Sequence, residues 1–207
     1  MKTNTQTKTV WMAQTAIFAA IVAVIQLVGG GVHFGAVSIS LVLIPIVVGG
    51  MMLGPAAGAI LGLVFGVITV INGLTSADMF TAILLQSGVK GMIITPLICL
   101  GKATAAGFFP ALIYQQFKKR SKNGSSFAGA VIASAAAPVI NTGLFILGAL
   151  TLSDVLAANF VAEGTTVIYF LIIGCAGINF IVEFIVNLVL SPAVFGLVKA
   201  ASKGRLN

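Results

Sequence analysis

Charged residues are scarce in this chain of 207 residues: Asp, Glu, Lys and Arg make up 7% of it, and 59% of it is hydrophobic. Ordinary soluble domains carry about a quarter charged residues, so the composition excludes a soluble globular protein. No charged residue occurs between Lys8 and Asp78, which leaves room for roughly three membrane spans of about 20 residues each. The rest of the chain has room for about three more.

Histidine and cysteine are also rare, with one His and two Cys. Cys99 and Cys175 lie in apolar runs without another Cys or His at ligand spacing, which argues against a disulfide framework and a metal site. The HExxH, GxSxG and phosphate-loop motifs are missing from the sequence. We therefore expect no enzyme activity, no metal and no cofactor.

Long apolar runs are what the sequence has in abundance, and its mean hydropathy is +1.16. They predict an all-α integral membrane protein, in which residues 1–207 form a single transmembrane domain with a six-helix bundle. The predicted helices are Val10–Val28, Val37–Leu53, Ala56–Ile71, Gly91–Phe117, Phe127–Leu150 and Thr166–Lys199. The long segment from Asn72 to about Lys90 is half apolar and interrupted by Gly, which predicts that it dips back over the bundle.

The basic residues predict the orientation of this bundle. With six spans, nine of the eleven Lys and Arg fall on one side. They are Lys2, Lys8, Lys118, Lys119, Arg120, Lys122, Lys199, Lys203 and Arg205. The positive-inside rule makes that side cytoplasmic, so both termini are expected in the cytoplasm. The same rule explains the net charge of +7 better than binding to nucleic acid does.

Lys102 and Glu183 are the two charges that lie inside apolar spans. An unpaired charge at such a depth costs several kcal/mol on insertion scales. We expect both side chains to face the interior of the bundle and to pair with each other or with a ligand. The alternative is a purely structural ion pair, or a lysine that extends its ammonium group toward the interface.

Further polar residues accompany these charges. Asn179, Glu183 and Asn187 are spaced at i, i+4 and i+8 and share one helical face. The run "PVINTG" exposes the amide of Asn141 and the hydroxyl of Thr142, although Asn141 could also serve as a hydrogen-bonding contact between helices. The predicted substrate-binding set is Asn141, Thr142, Lys102, Asn179, Glu183, Asn72 and Gln86, and Gln26 belongs to the same outward-facing polar group.

Two alanine pairs on the first helix, Ala16 with Ala20 and Ala19 with Ala23, have the small-xxx-small spacing of close helix contacts in membranes. One interpretation is internal packing. The other is docking to a second membrane subunit, and the spacing does not choose between the pairs.

The six predicted spans, the alanine pairs, "LGPAAGAILGLVFGVI" and "PVINTGLFILG" together resemble the substrate-binding S component of an energy-coupling factor transporter, over almost the whole chain. The resemblance implies a multi-pass protein of the bacterial plasma membrane that captures a vitamin from outside. The vitamin then passes to a transmembrane coupling subunit and two ATPases, which are the subunits that use ATP. The pocket would be formed by the last three helices and capped by the outer loops, and one of the alanine pairs would dock the coupling subunit.

Within that family the two motifs look most like the pantothenate-type branch, and a carboxylate vitamin would suit Lys102 as its counter-ion. Riboflavin, folate and a queuosine precursor stay open as substrates. Two other classes of function also stay open. The first is a structural or assembly protein held together by a Lys102–Glu183 pair, and the second is an autonomous ion-coupled carrier in which Glu183 relays protons.

Overall fold

The computed structural model of the chain describes residues 4–29, 33–34, 37–38, 41–121 and 125–204, and they form a helical membrane protein. The elements in chain order are α1 (Asn4–Gly29), β1 (His33–Phe34), β2 (Val37–Ser38), α2 (Leu43–Leu53), α3 (Pro55–Leu74), α4 (Met79–Gln86), α5 (Val89–Arg120), α6 (Phe127–Ala149), α7 (Ser153–Phe160), α8 (Val167–Tyr169) and α9 (Ile178–Gly204). A 3₁₀ turn, Leu150–Leu152, joins α6 to α7, and a π-helical segment, Phe170–Gly177, joins α8 to α9.

Five segments of the described chain are long and apolar enough to cross a membrane. They are Lys8–Val28, Pro55–Leu74, Val89–Arg120, Phe127–Phe160 and Asn179–Ala201. The predicted helices in these regions are confirmed to within a few residues, with two exceptions. The first helix begins at Asn4 and not at Val10, and the last is interrupted before Ile178. The count of six spans and the cytoplasmic placement of the termini stay predictions.

The predicted second helix, Val37–Leu53, is wrong at its N-terminal end. Val37 and Ser38 instead pair with Phe34 and His33 in a short antiparallel hairpin, and α2 has eleven residues. At 1.5 Å per residue α2 is about 16 Å long, roughly half the thickness of the hydrocarbon core. Pro45 explains where the helix begins, because a proline fits the first turn, whose backbone N–H groups need no helical partner.

The predicted sixth helix, Thr166–Lys199, is also not continuous. Its first part is the single turn α8, followed by the eight-residue π-helical segment, and α9 then continues beyond Lys199 to Gly204. A π-helix is a rare departure from α-helical hydrogen bonding and often occurs at functional sites. The apolar pattern alone does not distinguish such a segment from an α-helix.

Small residues allow α3 and α5 to touch backbone to backbone. A Cβ atom added to Gly58 would overlap the carbonyl oxygen of Gly107, and one added to Gly62 would overlap the carbonyl oxygen of Ala103. We call these four residues the α3–α5 seam. Close approach of this kind is how helices associate in lipid, where van der Waals contact between backbones replaces the hydrophobic effect.

The two ends of the bundle differ in charge. Lys8 of α1, the cluster from Lys118 to Arg120 of α5 and Lys199 of α9 lie at one end, which we call the basic end. Lys2, Lys122 and Arg205 lie outside the described residues. The opposite end is covered by α4 and α7, whose Phe80, Leu84 and Leu156 are buried against one another. The segment predicted to dip back over the bundle therefore contains α4.

Candidate functional site

A cavity lies between α1, α3, α5, α6, α9 and the π-helical segment, and α4 covers it. It holds about 90 Å³ of space for the centres of water molecules. One water needs roughly 10–15 Å³ on this measure, so the space suits a small organic molecule better than a single water. The side chains of the wall that carry charges or amides are Gln26, Asp78, Lys102, Asn141, Asn179 and Glu183.

Lys102 enters the cavity wall from the middle of α5. Its ammonium group lies over the ring of Phe145 on α6, with Nζ 4.9 Å from the ring centroid. The negative face of an aromatic ring attracts a cation at this distance. An ion pair outside the cavity wall joins Lys90 to Asp154 at 3.0 Å.

Glu183 and Asn179 line the cavity from α9, one turn apart. Glu183 is buried, with 4% of its surface exposed. Asn187, on the same face, points its amide back along the helix and donates from Nδ2 to the backbone carbonyl oxygen of Glu183 at 2.8 Å. Asn187 is therefore satisfied within α9, and it is not part of the cavity wall.

Some buried polar atoms of the cavity wall lack a hydrogen-bond partner among the described residues. Asn141 Oδ1 on α6 and Thr95 Oγ1 on α5 are examples. A buried polar atom without a partner costs roughly 1–3 kcal/mol. Because both residues line the same cavity, a ligand held there is the nearest group that can supply the missing hydrogen bonds.

The covering helix α4 is built around Asp78, which caps its first turn. The Asp78 carboxylate accepts a hydrogen bond from the backbone N–H of Thr81 at 3.3 Å and another from its hydroxyl at 2.6 Å. Positive φ angles bound α4 on both sides, at Ser76 (57°) and Gly88 (89°). Asp78 and Thr81 thus fix where α4 begins, at the edge of the cavity.

An aromatic cluster joins α4 to its neighbours. The Phe80 ring lies 5.8 Å from Phe145 of α6 and 5.0 Å from Phe160 of α7, between ring centroids. Phe160 in turn stacks on Phe170 of the π-helical segment at 5.6 Å. Aromatic pairs at such distances contribute roughly 0.5–1.5 kcal/mol each beyond their buried area. The cluster fixes both the cover of the cavity and the ring beneath Lys102.

Nearly the whole sequence matches one known protein family. The model described as "ECF transporter, substrate-specific component" matches residues 11–195, which is nearly the whole chain. The chain belongs to this family. It is therefore a transport protein and not an enzyme, and it is a multi-pass protein of the bacterial plasma membrane. Membership also implies a small-molecule substrate and membrane partners, namely coupling and ATPase subunits.

A solved structure has the same fold. ThiT from Listeria monocytogenes superposes with a TM-score of 0.60 at 19% sequence identity, covering 93% of this chain and 98% of that chain. At this identity the likeness concerns the fold alone. No curated protein matches the sequence. The family resemblance is thus confirmed, whereas the pantothenate branch receives no support from either comparison.

The structure of this substrate-specific component brings most of the predicted binding residues together. Those in the cavity wall are Lys102, Asn141, Thr142, Asn179 and Glu183. Two others are not in the wall. Asn72 is buried at the end of α3, where its backbone carbonyl oxygen accepts from the backbone N–H of Asp78 at 3.0 Å. Gln86 is exposed at the end of α4.

Several residues of the wall were not predicted from the sequence. They are Phe65, Thr69, Asp78, Phe80, Thr81, Thr95, Cys99, Phe145 and Cys175. A signal existed for Asp78, because an Asp directly before an apolar run is typical of a helix N-terminus. Thr95 gives no such signal, since a Thr in a membrane helix more often bonds within its own backbone.

The two alanine pairs of α1 differ in exposure. Ala16 and Ala20 are exposed on the outer surface of the bundle. Ala19 instead packs against the buried cluster that contains Val22 and Leu61, and Ala23 is half-buried. Ala16 and Ala20 are therefore the pair that a partner helix can reach.

Proposed function

We propose that this protein captures a vitamin or related small nutrient from outside the cell and delivers it to a transmembrane coupling subunit and two ATPases. The observation that supports the proposal is the convergence of Lys102, Asn141 and Glu183, from three different helices, on one cavity beneath α4. Ionisable groups inside a membrane protein usually mark a substrate path. The chain itself needs no cofactor in this proposal, because ATP is used by the partners.

The cavity opens toward the exterior in this proposal. Its residues on α5 precede Ala103 and those on α6 follow Ile140, so they occupy the half of the bundle away from the basic end. The indole Nε1 of Trp11 donates to the backbone carbonyl oxygen of Leu53 at 3.0 Å, which puts the end of α2 beside the start of α1. With α2 as a short sixth membrane helix, both termini lie at the basic end, which the positive-inside rule assigns to the cytoplasm.

The substrate that we propose to test first is pantothenate. Its carboxylate matches Lys102, and its hydroxyl and amide groups match the unpartnered atoms of Asn141 and Thr95. Folate, riboflavin and a queuosine precursor are the alternative substrates.

Calorimetry of the purified protein against pantothenate, thiamine, riboflavin, folate and a queuosine precursor tests the capture role. We expect saturable binding of one of them. Lys102→Met should then weaken that binding by about 30-fold or more, since removing one partner of a buried charge pair costs roughly 2–5 kcal/mol. Lys90→Met, on the same helix but outside the cavity wall, is the matched control and should leave the affinity unchanged. Failure of every compound to bind would contradict the capture role.

Ala16 and Ala20 form the surface that we propose for docking the coupling subunit. Ala16→Leu should abolish co-purification of that subunit and the two ATPases from the native membrane while leaving ligand binding intact. Ala193→Leu, at an exposed position of α9, is the control and should co-purify normally. Substrate accumulation in vesicles that contain no ATPase would instead indicate an autonomous carrier.

A further inference from the structure

The Lys102 ammonium group lies over the aromatic ring of Phe145, which attracts a positive charge but does not neutralise it. Nζ lies 4.9 Å from the Phe145 centroid, inside a helix long and apolar enough to span the membrane. A carboxylate at that place would neutralise the ammonium group and occupy its donors. A ring stabilises the charge without cancelling it. Lysine has three N–H donors, so those that do not face the ring stay available to a ligand.

The ring itself is held in place by its contact with the covering helix α4. Phe145 follows Asn141 by four residues on α6, which puts both side chains on the cavity face of that helix. The Phe80 ring of α4 packs against it with 5.8 Å between centroids. Phe145 therefore has little freedom to move away from Lys102, and the long flexible stem of the lysine is steadied by its contact with a fixed surface.

We infer that Phe145 is a positioning residue that holds the Lys102 ammonium group at the cavity wall, and that it thereby favours substrates that carry an anionic group. The inference rests on the proposed capture function and adds the residue that sets the charge preference. The unpartnered Asn141 Oδ1 and Thr95 Oγ1 in the same wall add a preference for hydroxyl or amide groups on that anion.

Matched pairs of ligands that differ in one negative charge test this inference. Pantothenate is compared with its alcohol, pantothenol, and nicotinate with nicotinamide, by calorimetry on the purified protein. Phe145→Leu removes the π face and keeps the apolar bulk, and it should weaken binding of the acid about three- to tenfold, the range expected for a cation–π contact. Binding of the uncharged partner should weaken clearly less than binding of the acid does. Phe145→Tyr, which keeps the ring, should restore the preference for the acid.

A double-mutant cycle separates positioning from packing. In a Lys102→Met background, Phe145→Leu should have no further effect on the ratio of the two affinities. Phe145→Met serves as a second apolar replacement if the leucine variant is too unstable to purify.

An equal loss for acid and neutral ligand, or a wild-type protein that binds only uncharged or cationic vitamins, would overturn the inference and leave the capture function standing. Failure of the wild-type protein to bind any member of the panel would overturn both.

Discussion

The α3–α5 seam and the cavity beside it are built from the same two helices, but they use opposite kinds of residue. In the seam, Gly58, Gly62, Ala103 and Gly107 remove side-chain volume so that the backbones touch. In the cavity, Thr95 contributes a buried hydroxyl oxygen that has no partner among the described residues. The residues of the seam thus allow close contact between helix backbones, whereas the cavity wall contains a hydrogen-bonding group that a ligand can use.

Both regions include a feature that lowers the stability of the folded protein, and the physical cause differs between the two. A glycine in a helix costs roughly 0.5–1 kcal/mol relative to alanine through backbone entropy, and the seam recovers this cost in helix packing. A buried polar atom without a partner lowers the free energy of unfolding by roughly 1–3 kcal/mol. No contact among the described residues offsets this loss. Substitutions in the seam should therefore change stability, and substitutions in the cavity wall should change binding.

Gly62→Ala should have the largest effect on stability. The added Cβ meets the backbone carbonyl of Ala103, which cannot turn aside as a side chain can. Overpacking of this kind costs about 3 kcal/mol, so the free energy of unfolding in detergent should fall by about that amount.

Gly101→Ala is the matched control for the seam. Gly101 is also a helical glycine, but a Cβ at this position meets nothing within 4 Å. The substitution should leave stability unchanged or raise it by roughly 0.5–1 kcal/mol. Equal destabilisation by both variants would show that backbone contact is not what distinguishes the seam.

Thr95→Val should change binding and stability in opposite directions. The valine has nearly the same shape and removes the hydroxyl whose oxygen lacks a partner. We expect ligand affinity to fall about tenfold, the equivalent of one hydrogen bond of about 1.4 kcal/mol. Thermal unfolding without ligand should show equal or greater stability, as is common when functional groups are removed from a site.

Ser134→Ala controls for burial of the hydroxyl. Ser134 Oγ on α6 is likewise buried without a partner among the described residues, but it is not in the cavity wall. Its removal should not reduce ligand affinity. A similar loss of binding in both variants would mean that the effect of Thr95 is not local to the cavity.

Lys90→Met should have the smallest effect. The ion pair with Asp154 joins α5 to α7 near the covered end, but 49% and 63% of the two side chains are exposed. Exposed pairs contribute little to stability and are screened by salt. Melting temperatures of wild type and variant, measured at low and high salt, should differ slightly at low salt and coincide at high salt. A large difference at both salt concentrations would indicate that the pair holds the cover of the cavity closed.

The long helices were predictable because twenty or so consecutive apolar residues have one stable conformation in lipid, where every backbone group must bond within its own helix. Lys102 and Glu183 were predictable as interior residues for a related reason, since a charge facing lipid costs too much. The start of α2 and the π-helical segment were not, because apolar composition says little about where a helix begins or how its hydrogen bonds are spaced.

The sequence by itself determined that this chain is a helical membrane protein and which residues carry charge or amide groups within its spans, because both follow from the free energy of transfer into lipid. Only the tertiary structure decided that Thr95 and Phe145 join Lys102 at one cavity, that Asn72 and Gln86 do not, and that Ala16 and Ala20 are the exposed alanine pair. These outcomes depend on how each helix is rotated about its axis, and the rotation is set by contacts between helices distant in sequence, such as those of Gly62 with Ala103.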